Sequence, residues 1–165
     1  VDPPSAATTI FFDDALATGL NYNFFDNGAG TLAVGEQDED SRGKVIEVAK
    51  SGPDGNFYFE SAGTDMSGYV ATGELVFDLN IVSSDDGVSM LVKFDSGWPN
   101  VSDYVVPLPA VGEWGEIRIA VADIFANPNS FDPSGTADPT SVINVFVVEP
   151  NGVMTFKLDN VRIEN

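Results

Sequence analysis

The feature that most constrains the fold is a two-residue alternation of apolar and polar side chains, which recurs in short runs along the chain. Residues 75–81, 90–94 and 117–121 each place every second side chain on an apolar face. This period is typical of a β-strand with one face in a core. Helical periodicity is limited to a single turn at 121–125. The sequence therefore predicts an all-β chain.

Further short runs bounded by Gly, Asp, Asn or Pro bring the number of predicted strands to eight or nine. These runs are 9–12, 30–35, 44–50, 56–61, 142–148 and 155–163. The run 142–148 is almost entirely apolar, which predicts a strand covered on both faces. Residues 85–87 predict a hairpin between two alternating runs, and the Pro-rich segment 127–139 predicts a long surface loop. Together these patterns predict an antiparallel β-sandwich.

The last predicted strand contains a break in parity. Phe156 and Leu158 share one face, whereas Val161 and Ile163 belong to the opposite parity. A β-bulge at 159–160 would return all four side chains to the core. Such a bulge would also re-aim the Asp159 carboxylate and expose carbonyl oxygens, a geometry suited to a cation.

Length and composition limit the organisation and the chemistry. The 165 residues, 43% of them apolar, predict one monomeric domain over 9–165, preceded by a linker remnant over 1–8. The chain contains neither histidine nor cysteine. This composition excludes Ser-His and Cys-His nucleophiles and zinc sites with thiolate or imidazole ligands.

The balance of acidic and basic residues limits the kinds of molecule that the protein can bind. Acidic residues outnumber basic residues 26 to 7, which gives a formal net charge of −19. Such a surface repels nucleic acid and anionic membranes, and no apolar run has the length of a membrane span. The balance instead suits a divalent cation, a neutral ligand or a salty environment.

Several motifs together resemble carbohydrate-binding modules of the galactose-binding-like jelly-roll fold. The motifs are Phe12-Asp13-Asp14, the strands 42–48 and 114–119, and the terminal segment 158–163. The segment 93–103 is similar to the non-catalytic C-terminal domains of glucan exo-hydrolases from marine bacteria. The resemblance implies a jelly-roll sandwich that is secreted or on the cell surface, within a larger multidomain glycoside hydrolase or surface protein. It also implies that the domain binds a polysaccharide or oligosaccharide, with a β-glucan such as laminarin as the best guess.

The same resemblance implies a structural calcium ion that bridges the first and last strands. Its expected ligands are Asp13 or Asp14, an acid of the segment 36–40 such as Asp38, the carbonyl of Arg42, and Asp159. Taken alone, the segment 36–40 also fits a solvated acidic loop. Because the chain has seven basic residues, calcium rather than a salt bridge is the expected partner of Asp159.

A sugar site needs an exposed aromatic plane and groups that hydrogen-bond to hydroxyls. Trp98 lies in a loop between Gly97 and Pro99, where it either stacks on a sugar or folds back over the sheet. Trp114 opens a strand and is expected to be structural. Tyr22, Phe24 and Phe25 are expected to pack a loop.

Polar residues on outward faces form the second part of the predicted sugar site. If their strands share one sheet, these residues make a platform beside Trp98: Asp78, Asn80, Lys93, Asp95 and Arg118. Tyr58 would extend the platform from another strand. The alternative is an ordinary wet sheet with surface ion pairs between Lys93 and Asp95 and between Arg118 and Asp78.

Two other functions compete with sugar binding. A glycoside hydrolase would use paired carboxylates such as Asp78 with Asp95 or Glu116, although no compact acid pair stands out. A calcium-stabilised spacer or adhesion domain would share the fold and lack the platform. The sequence thus favours a non-catalytic module.

Overall fold

Residues 8–165, which the computed structural model describes, form twelve strands and one short helix. The strands are β1 Thr9–Asp13, β2 Ala15–Leu16, β3 Asn21–Phe25, β4 Leu32–Glu39, β5 Gly43–Lys50, β6 Asn56–Thr64, β7 Glu74–Ser84, β8 Met90–Asp95, β9 Val101–Val105, β10 Trp114–Ala120, β11 Val142–Pro150 and β12 Met154–Glu164. A 3₁₀ turn covers Ser67–Tyr69, and helix α1 covers Val121–Phe125. The predicted linker over 1–8 lies, apart from Thr8, outside the described residues.

The strands form two antiparallel sheets, which confirms the predicted β-sandwich. The five-stranded sheet has the order β3-β6-β11-β8-β9. The seven-stranded sheet has β12 at its centre, with β7 and then β10 on one side. On its other side β12 pairs with β5 along its first half and with β1 along its second half. β4 extends the sheet beyond β5, and β2 extends it beyond β1.

Aromatic side chains join the two sheets across the core. Phe59 and Phe146 of the five-stranded sheet have ring centroids 5.2 Å apart, and Phe146 lies 5.2 Å from Phe77 of the seven-stranded sheet. All three rings are fully buried. Phe57 extends this row and contacts Phe59 edge to face. Such packing stabilises a sandwich through apolar burial and aromatic contact.

The bulge predicted in the last strand is confirmed. The register of β12 against β7 shifts between Asp159 and Arg162, and Asn160 has a positive φ of 48°. The shift returns Val161 and Ile163 to the core face, where both are fully buried. The break in parity therefore marks a real irregularity of the backbone.

The hairpin predicted at 85–87 is wrong. The strand before this turn, β7, lies in the seven-stranded sheet, and the strand after it, β8, lies in the five-stranded sheet. The turn therefore carries the chain from one layer of the sandwich to the other. The local sequence of a turn does not determine whether the following strand pairs with the preceding one.

Strand β3 also corrects the prediction that 22–25 only packs a loop. Asn21–Phe25 pairs with β6 along its whole length and forms one edge of the five-stranded sheet. Tyr22 contacts Phe57 and Phe59, whereas Phe24 and Phe25 are exposed. β9 was not predicted either, whereas β11 is buried from Val145 to Val148, as its apolar run predicted.

Candidate functional site

A groove lies on the outer face of the five-stranded sheet. Its main part has a volume of about 460 Å³, and a smaller depression of about 210 Å³ continues it. Phe25, Asn56, Lys93 and Trp98 line both parts. The groove is open to solvent along a face that does not belong to the core.

Three exposed aromatic rings stand around the groove. Trp98 is 64% exposed, Phe131 60% and Phe25 56%. Trp98 lies in the turn between β8 and β9, where the Asp95 carboxylate accepts a hydrogen bond from the Gly97 N–H at 2.7 Å. This exposure favours the interpretation in which the Trp98 ring is available for stacking over the one in which it folds back over the sheet. Phe25 was expected to pack a loop, and Phe131 was not predicted, although it has the same signal as Trp98: a large aromatic residue in a polar loop.

The loop 127–139 is fixed against β9, which positions Phe131. Buried Asp103 accepts hydrogen bonds from the Ser130 N–H at 2.8 Å and from the Ser130 hydroxyl at 2.5 Å. The side chain of Asn129 donates to the carbonyl of Pro99 at 3.0 Å. Gly135 packs so closely that a Cβ would lie 1.9 Å from the Pro99 carbonyl oxygen. The loop carrying Phe131 and the turn carrying Trp98 are thus joined into one wall.

The floor of the groove contains an ion pair between buried Lys93 and partly buried Glu149. The Nζ atom of Lys93 lies 2.5 Å from an Oε atom of Glu149 on the neighbouring strand β11. The same Nζ atom lies 4.5 Å from the centroid of the Phe131 ring. The alternative in which Lys93 forms a surface pair with Asp95 is therefore wrong, because its partner is Glu149 and its side chain is buried.

A second polar pair lies in the smaller depression. The amide of Asn144 donates to the Asp95 carboxylate at 2.9 Å, next to a register shift in β11. This bond fixes the orientation of the amide, because the reverse orientation would place two oxygens against each other. The Asn144 Oδ1 atom has no hydrogen-bond partner among residues 8–165. Asn144 was not predicted as a site residue because it lies in an otherwise apolar run.

Tyr58 adds a hydroxyl to the same depression. Burial raises the pKa of the Tyr58 phenol, and the charges of Glu60 and Asp95 raise this pKa further. The phenol therefore keeps its proton and remains able to donate a hydrogen bond. Together with Lys93, Asp95 and Trp98, Tyr58 is one of four predicted sugar-site residues that the structure brings together.

The other three predicted platform residues lie elsewhere. Asp78 and Asn80 are on β7, and Arg118 is on β10, in the seven-stranded sheet. The condition that all the platform strands share one sheet is not met, because residues 85–87 carry the chain between layers. Arg118 pairs with three carboxylates: Glu74, Glu116 and Glu164. The alternative pair between Arg118 and Asp78 is not formed.

Of the residues expected to bind calcium, Asp14 lies at the turn that carries Arg42, because its carboxylate accepts a hydrogen bond from the Lys44 N–H at 2.7 Å. Asp38 is exposed and lies 3.5 Å from Lys44, whereas Asp13 is exposed at the end of β1. Buried Asp159 accepts hydrogen bonds from the Asn160 N–H at 2.8 Å and from Arg42 at 3.1 Å. Within residues 8–165 no group of three or more acidic side chains could hold a metal ion. The expectation that Asp159 lacks a basic partner is wrong, because Arg42 is that partner, and calcium binding itself stays a prediction.

The side chain of Arg42 forms contacts that the sequence did not predict, since only its carbonyl was expected to have a role, as a calcium ligand. Its Nη1 atom also lies 2.8 Å from Asp78, and its guanidinium carbon lies 3.9 Å from the centroid of Trp114. Burial raises the pKa of Asp159, and the Arg42 hydrogen bond opposes this shift. Trp114 is held as a structural residue on the sheet opposite to the groove.

The carboxylates considered for hydrolysis are also separated or neutralised. Asp95 lies in the five-stranded sheet, whereas Asp78 and Glu116 lie opposite each other in the seven-stranded sheet. Asp78 is paired with Arg42, and Glu116 is paired with Arg118 and Arg162. The groove therefore does not contain the acid pairs that the hydrolase alternative required.

Solved structures with the same fold include carbohydrate-binding modules. No family model and no curated protein matches the sequence. Among solved structures, a family 11 module from Clostridium thermocellum, in complex with a β-1,3-1,4-mixed-linked tetrasaccharide, is 16% identical with a TM-score of 0.68. The match covers 98% of each chain.

Two other structures share the fold. A family 30 module of a cellulosomal cellulase from Clostridium thermocellum is 16% identical, with a TM-score of 0.64 over 97% of this chain and 98% of that one. The extra C-terminal domain of an exo-1,3/1,4-β-glucanase from a Pseudoalteromonas species is 11% identical, with a TM-score of 0.67. That match covers 93% of this chain and 90% of the other. The fold implied by the sequence resemblance is thereby confirmed.

Proposed function

We propose that this chain is a non-catalytic carbohydrate-binding module that holds a polysaccharide in the groove of the five-stranded sheet. A β-glucan such as laminarin is the favoured ligand. The observation that carries the proposal is the set of three exposed rings, Trp98, Phe131 and Phe25, around a floor of hydrogen-bonding side chains.

The chemistry of the groove matches that of a sugar chain. A sugar ring presents C–H groups on its faces and hydroxyls at its edges, so it needs flat apolar surfaces beside donors and acceptors. The rings supply the apolar surfaces. Asn56, Tyr58 and Asp95 supply amide, hydroxyl and carboxylate groups in the same groove. A large exposed apolar surface rimmed by polar groups is also typical of a binding site.

The fold supports the same proposal and suggests a cellular context. The family 11 structure contains a mixed-linked tetrasaccharide, and the family 30 module is part of a cellulosomal cellulase. We infer that this chain acts outside the cell as one module of a larger glycoside hydrolase or surface protein. Within residues 8–165, no helix has the length and apolar character needed to cross a membrane.

Native gel electrophoresis through gels that contain laminarin, mixed-linkage β-glucan, xylan or agarose tests the proposal. We expect retardation by a β-glucan, and we expect Trp98→Ala to weaken it about tenfold or more, as for an aromatic anchor of an interface. A thermal melt of the variant controls for loss of folding. Absence of retardation by every polysaccharide would favour a spacer domain, and reducing sugar released from the polymer would favour a hydrolase.

A further inference from the structure

The groove contains one basic side chain, and that side chain is already neutralised. Among the described residues that line the groove, Lys93 is the sole lysine or arginine. Its Nζ atom lies 2.5 Å from Glu149 and beneath the ring of Phe131. A buried lysine at this distance from a carboxylate is a strong ion pair, which leaves no free positive charge for a ligand.

The remaining charges of the groove are negative. Asp54 lines its main part and Asp95 lines the smaller depression. Asp95 receives hydrogen bonds from the Gly97 N–H and the Asn144 amide, neither of which carries a charge. Buried Lys50 beneath the groove interacts electrostatically with Asp54 and Glu149. Because Glu149, Asp54 and Asp95 still outnumber Lys93 and Lys50, a carboxylate on a ligand would meet a net negative charge, in a chain whose formal net charge is −19.

We propose that Glu149 is a specificity-determining residue, because by neutralising Lys93 it makes the groove select uncharged sugar chains over chains that carry uronate carboxylates. This inference rests on the proposed binding of a polysaccharide in this groove. Glu149 acts by repelling the wrong ligand and by occupying the cation that would otherwise attract it. Discrimination against a competitor commonly uses such repulsive elements.

The proposal predicts how binding depends on the charge of the sugar. Laminarin and mixed-linkage β-glucan, each in native form and with C6 hydroxyls oxidised to carboxylates, are the four probes. We expect the wild-type protein to bind a native polymer at least about tenfold more tightly than its oxidised form. The methyl ester of the oxidised polymer, which removes the charge and keeps the carbonyl, should regain most of the affinity.

Two matched variants, each of which removes one carboxylate, distinguish the effect of the Lys93–Glu149 ion pair from the effect of the net charge of the groove. Glu149→Gln removes the carboxylate that holds Lys93, whereas Asp54→Asn removes a groove carboxylate that forms no ion pair with Lys93. Glu149→Gln should raise the affinity for the oxidised polymer about tenfold more than Asp54→Asn does. In the double variant Lys93→Gln and Glu149→Gln, this gain should disappear because the cation that Glu149→Gln frees is absent.

The outcomes distinguish this proposal from the proposed function. If the wild-type protein binds neither neutral polymer, β-glucan binding in this groove is wrong. If it binds native and oxidised polymers equally, sugar binding stands and the selectivity is wrong. An equal effect of Glu149→Gln and Asp54→Asn would show that Glu149 has no specific role. Even where a variant fails to fold, equal binding of native and oxidised polymers by the wild-type protein would overturn the proposal, because Glu149 would then have no selectivity to determine.

Discussion

The Nη1 atom of Arg42 lies 3.1 Å from the Oδ2 atom of Asp159, which follows it by 117 residues in the chain. Arg42 belongs to the turn between β4 and β5, whereas Asp159 marks the bulge of the central strand β12. The same guanidinium contacts Asp78 on β7 and the ring of Trp114 on β10. One side chain thus ties a hairpin turn to three strands of the seven-stranded sheet.

Replacing Arg42 with methionine should destabilise the fold by about 2 kcal/mol. Asp159 is 2% exposed, and removing its partner leaves a buried carboxylate without a compensating charge. The loss stays below the value for a fully buried pair because the Arg42 side chain is 23% exposed. Urea unfolding monitored by tryptophan fluorescence measures the free energy of unfolding.

The matched control for this prediction is Lys44→Met, on the same hairpin. Lys44 lies 3.5 Å from Asp38, and its side chain is 48% exposed. Such a pair contributes about 0–1 kcal/mol. Equal losses in the two variants would contradict a special role for Arg42.

Calcium binding stays a prediction from the resemblance. Thermal unfolding with and without calcium tests it. An ion present at a hundredfold its dissociation constant stabilises the folded state by about 2.7 kcal/mol, which raises Tm by roughly 5–10 °C in a domain of this size. If calcium binds, Tm should therefore be higher in excess calcium than in chelator. An unchanged Tm would leave Arg42 as the sole counter-charge of Asp159 among the described residues.

Sequence patterns that involve residues close together in the chain predicted the fold well. The alternation of 75–81 and the parity break at Asp159 both report which side of a strand faces the core, and both agree with the structure. β3 and β9 were missed because β3 alternates over only four residues, 21–24, and β9 does not alternate. An edge strand is paired on one side only, so its pattern is weaker.

The candidate site was harder to predict because it depends on pairing between distant strands. Asp78 and Lys93 have the same outward parity, yet their strands belong to opposite layers. Glu149 could be assigned to the groove only after the pairing of β11 with β8 was known. Trp98 was found because a tryptophan between glycine and proline in a loop is itself a local signal.

Lys50 predicts how stability depends on alkaline pH. Burial lowers the pKa of Lys50 below its ordinary value of 10.5, and its Nζ atom donates to the carbonyls of Gly55 and Pro150. Between the lowered pKa and 10.5, the unfolded chain binds more protons than the folded one. The contribution of Lys50 to stability should therefore rise with pH in this window, by at most about 1.4 kcal/mol per pH unit.

The variant Lys50→Met isolates this contribution. Its methionine cannot titrate, so the difference in unfolding free energy between wild type and variant should grow as the pH rises toward 10.5. The neutral amine keeps its N–H groups, and the hydrogen bonds to the two carbonyls therefore persist. Urea titrations at several alkaline pH values measure the difference, and a flat or falling difference would contradict the prediction.

Phe24 and Phe25 offer a test of the groove within two adjacent residues. Successive side chains of a strand point to opposite faces, so only Phe25 lines the groove. Phe24 lines a separate cleft between β3 and β4, together with Val34 and Glu36. Both rings are exposed, and replacement of either by alanine should therefore change stability by a similar small amount.

The two variants should differ in their affinity for the polysaccharide. We expect Phe25→Ala to weaken retention by the polysaccharide about tenfold, because it removes one of the three aromatic rings around the groove. Phe24→Ala should bind like the wild-type protein, since its ring lies outside the groove. Isothermal titration with a β-glucan oligosaccharide measures both affinities under the same conditions. If Phe24→Ala lost more affinity than Phe25→Ala, the sugar would occupy the cleft between β3 and β4, and the groove would no longer be the binding site.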